Sequence, residues 1–356
     1  MYRTTHLLLL LCIISIFASG ALQLQDAHGG SCIPTERASL LSFKKGITSD
    51  RTNLLASWHG QDCCRWRGIR CSNRTGHVVR LHLRTPNLDV YKDPCSFDTL
   101  FGEISSSLRS LEYLEHIDLS MNCLSGPNST FPEFLGSMEN LRYLNLTGLA
   151  FSGRLPPQLG NLSKMRYLAI GQDRRSEMYS DNITWLTNLH SLKHLSICGV
   201  NLSGIDDWPH TLNMIPSLRV VNLHGCSLDN ANQSLPYLNL TKLEKLDLSW
   251  NEFDHSIEHS WFWKVTSLKH LNLEYTRLFG QFPDALANMT SLQVLDLSLN
   301  SNKYLTMTGK LKNLCSLKIL DLRQNDISAG VAEMMQGLPE CAWTNLQQLI
   351  QQKCAL

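Results

Sequence analysis

This chain has no surplus of either charge, no basic block, no apolar run long enough to cross a bilayer, and few of the short motifs that mark active sites. Lys and Arg number 32 against 31 Asp and Glu, a formal net charge of +1, and they are dispersed. Nucleic acid and anionic lipid both demand a concentrated basic face, so neither is expected as a partner. Partners must be reached by shape and local contacts. The chain also lacks a phosphate-cradling Gly loop, a nucleophile elbow, a Cys-x-x-Cys pair and the His-Arg-Asp string of a kinase loop. No enzymatic activity, cofactor or metal is expected from it. The main apolar run, Leu7 to Phe17, holds about 11 residues, whereas a membrane helix takes roughly 20. No transmembrane helix is expected in this chain.

What the chain has in abundance is repetition. The frame Leu-x-x-Leu-x-Leu-x-x-Asn-x-Leu returns every 24 to 29 residues. Full copies begin at Leu114, Leu141, Met165, Leu192, Leu218, Leu243, Leu268, Leu292 and Leu317, and degenerate ones at Val78 and Leu346. The Leu-x-Leu core alternates inward and outward, which is the period of a strand. One such strand buries too little apolar surface to stand alone, so the copies must stack. Stacked strands about 4.8 Å apart form a parallel sheet. The predicted fold is an α/β solenoid, a right-handed superhelix with a parallel concave β-sheet, over residues 78–356 in about 11 coils. Solenoids display extended concave surfaces, which points to binding. Asn holds the frame's ladder position in only four coils (Asn122, Asn251, Asn300, Asn325), so the middle of the array is expected to be less uniform.

Residues 1–21 read as a secretory signal, with Arg3 and His6, the apolar run, then small Ala18-Ser19-Gly20-Ala21. Export places the product in the secretory pathway and the extracellular space or apoplast, or at the plasma membrane if the full-length product has a membrane helix. Twelve cysteines in such a chain are expected to include disulfides. Cys12 leaves with the signal, which makes the mature count odd. Cys32, Cys63, Cys64 and Cys71 bracket a segment at 31–72 with a helical stretch from Glu36 to Lys45, in which Ala38, Leu41 and Lys45 share a stripe, and with Trp58 and Trp66. Four cysteines allow three pairings. A zinc site is disfavoured, because adjacent Cys63 and Cys64 cannot easily both bind one tetrahedral ion. Cys226 and Cys354 occupy the Asn position of the frame, where a thiol can act as a weak substitute donor. Cys95, Cys123, Cys198, Cys315 and Cys341 cannot be assigned from the sequence.

The string Cys63-Cys64-Arg-Trp66-Arg-Gly68-Ile69-Arg-Cys71 resembles the N-terminal cap of plant extracellular leucine-rich repeat proteins. Phe151-Ser-Gly153-Arg-Leu155-Pro156 and Leu278-Phe-Gly280-Gln-Phe282-Pro283 match Leu-x-Gly-x-Ile-Pro, the mark of the plant-specific leucine-rich repeat. Trp261-Phe-Trp263 through Asn288-Met-Thr290 resembles grass receptor-like proteins in particular. The resemblance implies disulfides Cys32–Cys63 and Cys64–Cys71 in a capped leucine-rich repeat superhelix. It further implies a cell-surface receptor-like protein that senses a protein, peptide or glycan ligand in immune or developmental signalling, with a co-receptor kinase. The chain departs from the family in showing no C-terminal membrane run and in stopping mid-repeat, with Gln351 at an inward Leu position. A C-terminally truncated receptor-like protein is therefore expected. The alternative is a soluble secreted inhibitor similar to polygalacturonase-inhibiting proteins.

The outward positions of the strands form columns across the concave face. One runs His116, Tyr143, Tyr167, His194, Val220, Lys245, His270, Val294, Ile319; the next runs Asp118, Asn145, Ala169, Ser196, Asn222, Asp247, Asn272, Asp296, Asp321. Beyond the third Leu lie Gly171, Cys198, His224, Ser249, Glu274 and Arg323, then Gln172, Gly199, Gly225, Trp250, Tyr275 and Leu299. Exposed aromatics and Arg on a rigid sheet are the types that anchor interfaces. The ligand-contact candidates are accordingly Tyr143, Tyr167, His194, His224, Trp250, Glu274, Tyr275 and Arg323. Asn-x-Ser/Thr sequons at Asn73, Asn128, Asn145, Asn161, Asn182, Asn201, Asn232, Asn239 and Asn288 are candidate glycan sites on exposed loops. Asn145 lies in a concave column, so a glycan there would confine a ligand to coils C-terminal to it. His255-Ser-Ile-Glu258-His259 spells the inverted zinc-protease string. That chemistry needs both His on one helix face, and here Ile257 fills the buried slot of an extended segment that should splay them.

Overall fold

The computed structural model describes residues 32–86, 95, 97–171, 177–230, 235–300, 305–306, 313–325 and 338–350. The signal-type segment 1–21, Gln172, Asn232, Gln351 and Cys354 lie outside them.

The chain opens on the cap. Helix Pro34–Lys45 starts with Pro in its first turn and ends at Gly46, a combination that suits the two ends of a helix. Its buried residues are Glu36, Ser39, Leu40 and Phe43, which corrects the expected stripe of Ala38, Leu41 and Lys45. The reason is polar: the Glu36 carboxylate accepts from the Val78 amide at 2.7 Å and lies 2.8 Å from His77 Nδ1, tying the helix to the first coil. A buried carboxylate is tolerated when it is so bonded. Phe43, Trp58 and Trp66 pack in series at 6.1 and 5.4 Å. Cys32 is paired with Cys63 and Cys64 with Cys71.

Among the described residues, one 12-stranded sheet runs from Ile69–Cys71 to Gln348–Ile350. Only its first pairing, Ile69–Cys71 with Val78–His82, is antiparallel; every later one is parallel. Inward leucines such as Leu141, Leu144, Leu146, Leu243, Leu246 and Leu248 are fully buried, each worth about 1.5–3 kcal/mol relative to exposure. Behind them, short 3₁₀ turns such as Pro157–Asn161 and Asp284–Asn288 close the coils, each burying one Leu. The Leu-x-Gly-x-Ile segments form small flanking sheets, for example Leu100–Glu103 with Cys123–Ser125. Gly102 there has φ +143, and a Cβ would meet Gly46 O at 2.2 Å, so no other residue fits.

The array is indeed uneven in its middle. Where Asn is present it is a fully bonded hub: Asn251 donates to Leu223 O and Leu248 O and accepts from the amides of Cys226 and Leu228. Thr276 and Cys226 are its stand-ins, the latter donating its thiol to Ile197 O at 2.7 Å. At Leu149 and Val200 no side chain can do this. In these two coils the strands Tyr143–Thr147 and His194–Cys198, like Tyr167–Gly171 between them, have five residues, against three for Val220–Asn222, Lys245–Asp247 and His270–Asn272. Backbone pairing takes over from the amide ladder.

Two more disulfides, Cys95–Cys123 and Cys315–Cys341, each span about one repeat and join neighbouring coils. Among the described residues no helix is long and apolar enough to cross a membrane.

Candidate ligand-binding face

Parallel pairing without slip places each column residue beside its counterpart: His116 beside Tyr143, Tyr143 beside Tyr167, and Tyr167 beside His194. Strand spacing of about 4.8 Å then brings side chains of one column close to the distance at which rings stack. The rings stack at 4.0, 4.2 and 4.1 Å, with interplanar angles of 12°, 11° and 15°. His82 joins the N-terminal end at 5.9 Å. The faces of these rings are turned to one another, and the Tyr143 hydroxyl lies 3.4 Å from Asp118 Oδ2.

The ladder carries no charge near neutral pH. Burial first, then Arg80, pulls the His116 pKa down to about 4; burial, then Lys245, does the same for His194. Burial, then the neighbouring Tyr143, pushes the Tyr167 hydroxyl far upward, and burial followed by Asp118 raises that of Tyr143. A ligand lying here meets neutral donors and acceptors.

Ala169 stands in a column otherwise made of Asp, Asn and Ser, and its short side chain is 2% exposed. Beside it opens a cavity of about 260 Å³, walled by Tyr167 and His194 on one side and by Arg84, Cys198, His224 and Asp247 on others. The signal for it was available as the smallest residue of its column, but the sequence does not say whether neighbours fill such a gap. Cys198 sits on this wall with its sulfur 3.3 Å from Ser196 Oγ.

C-terminal to the cavity, Trp250 stacks on Tyr275 at 4.7 Å and lies 6.2 Å from the ring of His224. Trp250 is 41% exposed. His224 Nδ1 is 2.8 Å from Ser249 Oγ. Glu274 shares a smaller cavity of about 160 Å³ with Arg323; burial, then Asp296, raises its pKa. Arg323 folds back on Asp321 of its own strand, Nη2 to Oδ2 2.7 Å, so part of its charge is already answered. The eight contact candidates thus fall into two groups. Tyr143, Tyr167 and His194 make a ladder, the other five a C-terminal patch, and the cavity touches Tyr167, His194 and His224. His82, His116, Arg84 and Ala169 belong to the same face and were not among the candidates.

Asn145 requires a correction. It is 5% exposed, with Oδ1 accepting from the Thr147 amide at 3.1 Å, and it lines the cavity. Its place in the strand is the one its column implies; what differs from the expectation is its exposure, and a buried Asn145 gives no reason to confine a ligand to later coils. Asn73, Asn128, Asn161, Asn182, Asn201, Asn239 and Asn288 are exposed. The His255/Glu258/His259 string is a second correction: Ile257–His259 is a 3₁₀ turn, not an extended segment. Ile257 is fully buried, as expected of its slot.

Comparison with known proteins places these features. Residues 33–72 match the leucine rich repeat N-terminal domain, and 140–162, 216–278 and 241–301 match leucine rich repeats. Receptor-like protein EIX1 of Solanum lycopersicum is 36% identical over 278 residues, 76% of this chain and 26% of that protein. Receptor-like protein EIX2 of the same species is 33% identical over 326 residues, 89% and 31% of the two chains. The chain thus spans between a quarter and a third of the length of these relatives. Among solved structures, the ectodomain of the Arabidopsis thaliana receptor kinase GASSHO1/SCHENGEN3 aligns with a TM-score of 0.62 at 24% identity, over 82% of this chain and 33% of that one. That of the Arabidopsis receptor kinase HAESA, in complex with the peptide hormone IDA and the co-receptor SERK1, aligns at 0.60 and 24%, over 82% and 50%. These likenesses establish the fold.

Proposed function

We propose that this chain, which carries matches to the leucine rich repeat N-terminal domain and to leucine rich repeats and is similar to plant receptor-like proteins, is the extracellular ligand-recognition module of a receptor-like protein, working in immune or developmental signalling with a co-receptor kinase. The observation that carries the reading is the neutral, stacked His116–Tyr143–Tyr167–His194 ladder opening onto the cavity beside Ala169. Preformed rings lose little entropy on binding, and hot spots are enriched in Tyr and Trp set in rigid surroundings. The cavity is roughly the size of one or two amino-acid side chains, while the ladder and the Trp250/Tyr275 patch extend the face on either side of it. An extended peptide with a small anchoring side chain fits that layout best. The HAESA structure, which shares the fold, is a complex with a peptide hormone and a co-receptor, which supports the choice.

The test is peptide-display selection on the secreted protein. Selected peptides should lose at least tenfold in affinity on His194→Ala or Trp250→Ala, with unfolding temperature monitored in parallel. Selected peptides that bind both variants as well as the parent would sink the concave-face reading. Inhibition of a polygalacturonase by the purified chain would favour the secreted-inhibitor alternative.

A further inference from the structure

We propose that His82, His116 and Asp118 form a binding site for a divalent transition-metal ion of the zinc type at the N-terminal end of the concave face. The sequence separates His82 from the other two by more than thirty residues, and only the ladder unites them. His82 pairs directly with Asp118, and His116 lies two residues before Asp118, on the same face of the same strand. One ligand atom from each of the three lies within 4.8 Å of the others. His82 Nδ1 and Asp118 Oδ2 are 3.6 Å apart, close to the roughly 3.4 Å between neighbouring ligands on a tetrahedral ion with bonds of about 2.0–2.1 Å.

Two further features point to an ion. Among the described residues the buried Nε2 of His116 has no hydrogen-bond partner, an unmet polar group of the kind that a coordinated ion would satisfy. The Asp118 carboxylate is already divided in its duties. Its Oδ1 accepts from both the amide and the hydroxyl of Ser120, at 3.1 and 2.6 Å, which fixes the group and leaves Oδ2 facing His82, with the Tyr143 hydroxyl 3.4 Å away. Outer-shell bonds of this sort orient the ligands of metal centres. Two imidazoles and one carboxylate suit zinc, nickel or copper better than magnesium or calcium. Three protein ligands leave one position open toward the groove, where a carboxylate or imidazole of a bound partner could complete the sphere.

Arg80 is the competitor. Its Nη2 lies 3.3 Å from His82 Nδ1, and Arg84, bonded to Ser120 Oγ at 3.3 Å, adds a second positive charge. The guanidinium of Arg80 occupies ground that an incoming ion would take, so removing it should favour the metal.

The test uses the purified, chelator-treated full chain and zinc chloride alone in calorimetry, with cobalt as a visible-absorption probe. One equivalent of zinc is expected, with an intense cobalt band of low-coordinate type. His82→Gln, on a half-exposed side chain, and His116→Gln should each weaken zinc at least tenfold, and Arg80→Gln should tighten it severalfold. Thermal melts of the three variants establish that each is folded. The proposal fails if the parent takes up no stoichiometric zinc, or if folded His82→Gln and His116→Gln both bind it as the parent does, which would place the ion on other histidines.

Discussion

Trp250, Tyr275, Leu299 and Gln324 share an unusual backbone setting with Met121: all have φ between +50° and +62°. The equivalent residues of other coils are Gly148, Gly199 and Gly225, with φ from +62° to +81°. A left-handed conformation costs a side-chain-bearing residue about 1–2 kcal/mol, so the ring at 250 is held against a backbone preference. Trp250→Gly would relieve that strain but lose stacking worth about 0.5–1.5 kcal/mol and stiffness worth about 0.5–1 kcal/mol. The stability change is therefore expected to stay within about 1 kcal/mol while affinity for concave-face ligands drops at least tenfold; denaturant unfolding and a binding isotherm on one preparation check this. A second residue-level expectation concerns acid. Burial and Lys245 hold the folded His194 at about 4, below its ordinary 6.5. Stability from the neutral ring is complete above pH 6.5 and is lost as pH falls toward 4, where the unfolded chain binds the proton more readily. Thermal midpoints measured across that window should fall in the parent and fall less in His194→Phe.

At the scale of the coil, the Asn hub and the longer strand are two answers to the same need for backbone bonding. Asn251→Ala strips the hydrogen bonds to Leu223 O, Leu248 O and Ser249 O and from the amides of Cys226 and Leu228 at a fully buried position, and leaving such partners unmet costs about 1–3 kcal/mol per group before relaxation. A loss of at least about 2 kcal/mol in chemical denaturation is expected. The columns were legible in the sequence because a two-residue period and a fixed repeat length determine which side chains become neighbours. Tyr143, Tyr167 and His194 could be set side by side from spacing alone. The lengthened strands could be read only as irregularity at Leu149 and Val200, since nothing local says that backbone will replace a missing amide. The cavity beside Ala169 and the meeting of His82 with Asp118 depend on rotamers and on how coils overlap, information that a repeat frame does not carry. The buried stripe of the cap helix was misplaced for a related reason: Glu36 reads as an outward residue until Val78 and His77 are known to face it.

At the scale of the described residues, the molecule is a row of nearest-neighbour contacts with disulfides in its cap and between several neighbouring coils, and in such arrays stability is a sum over repeats and their interfaces, so a local loss stays local. Cys315–Cys341 joins the last described coils; closing a loop of that size is worth about 3 kcal/mol. Replacing both cysteines by serine should raise hydrogen exchange across Ile319–Asp321 and Gln348–Ile350 and leave the strand Tyr143–Thr147 protected. Uniform loss of protection along the array would contradict this picture of local coupling. The left-handed positions also give the concave face a direction. Bare glycine backbone borders the coils of the cavity at Gly199 and Gly225, and bulky side chains occupy the same positions in the coils that follow. A chain-like ligand and its reversed sequence would therefore meet different surroundings in the same groove, and the concave face should read such a ligand in one polarity only.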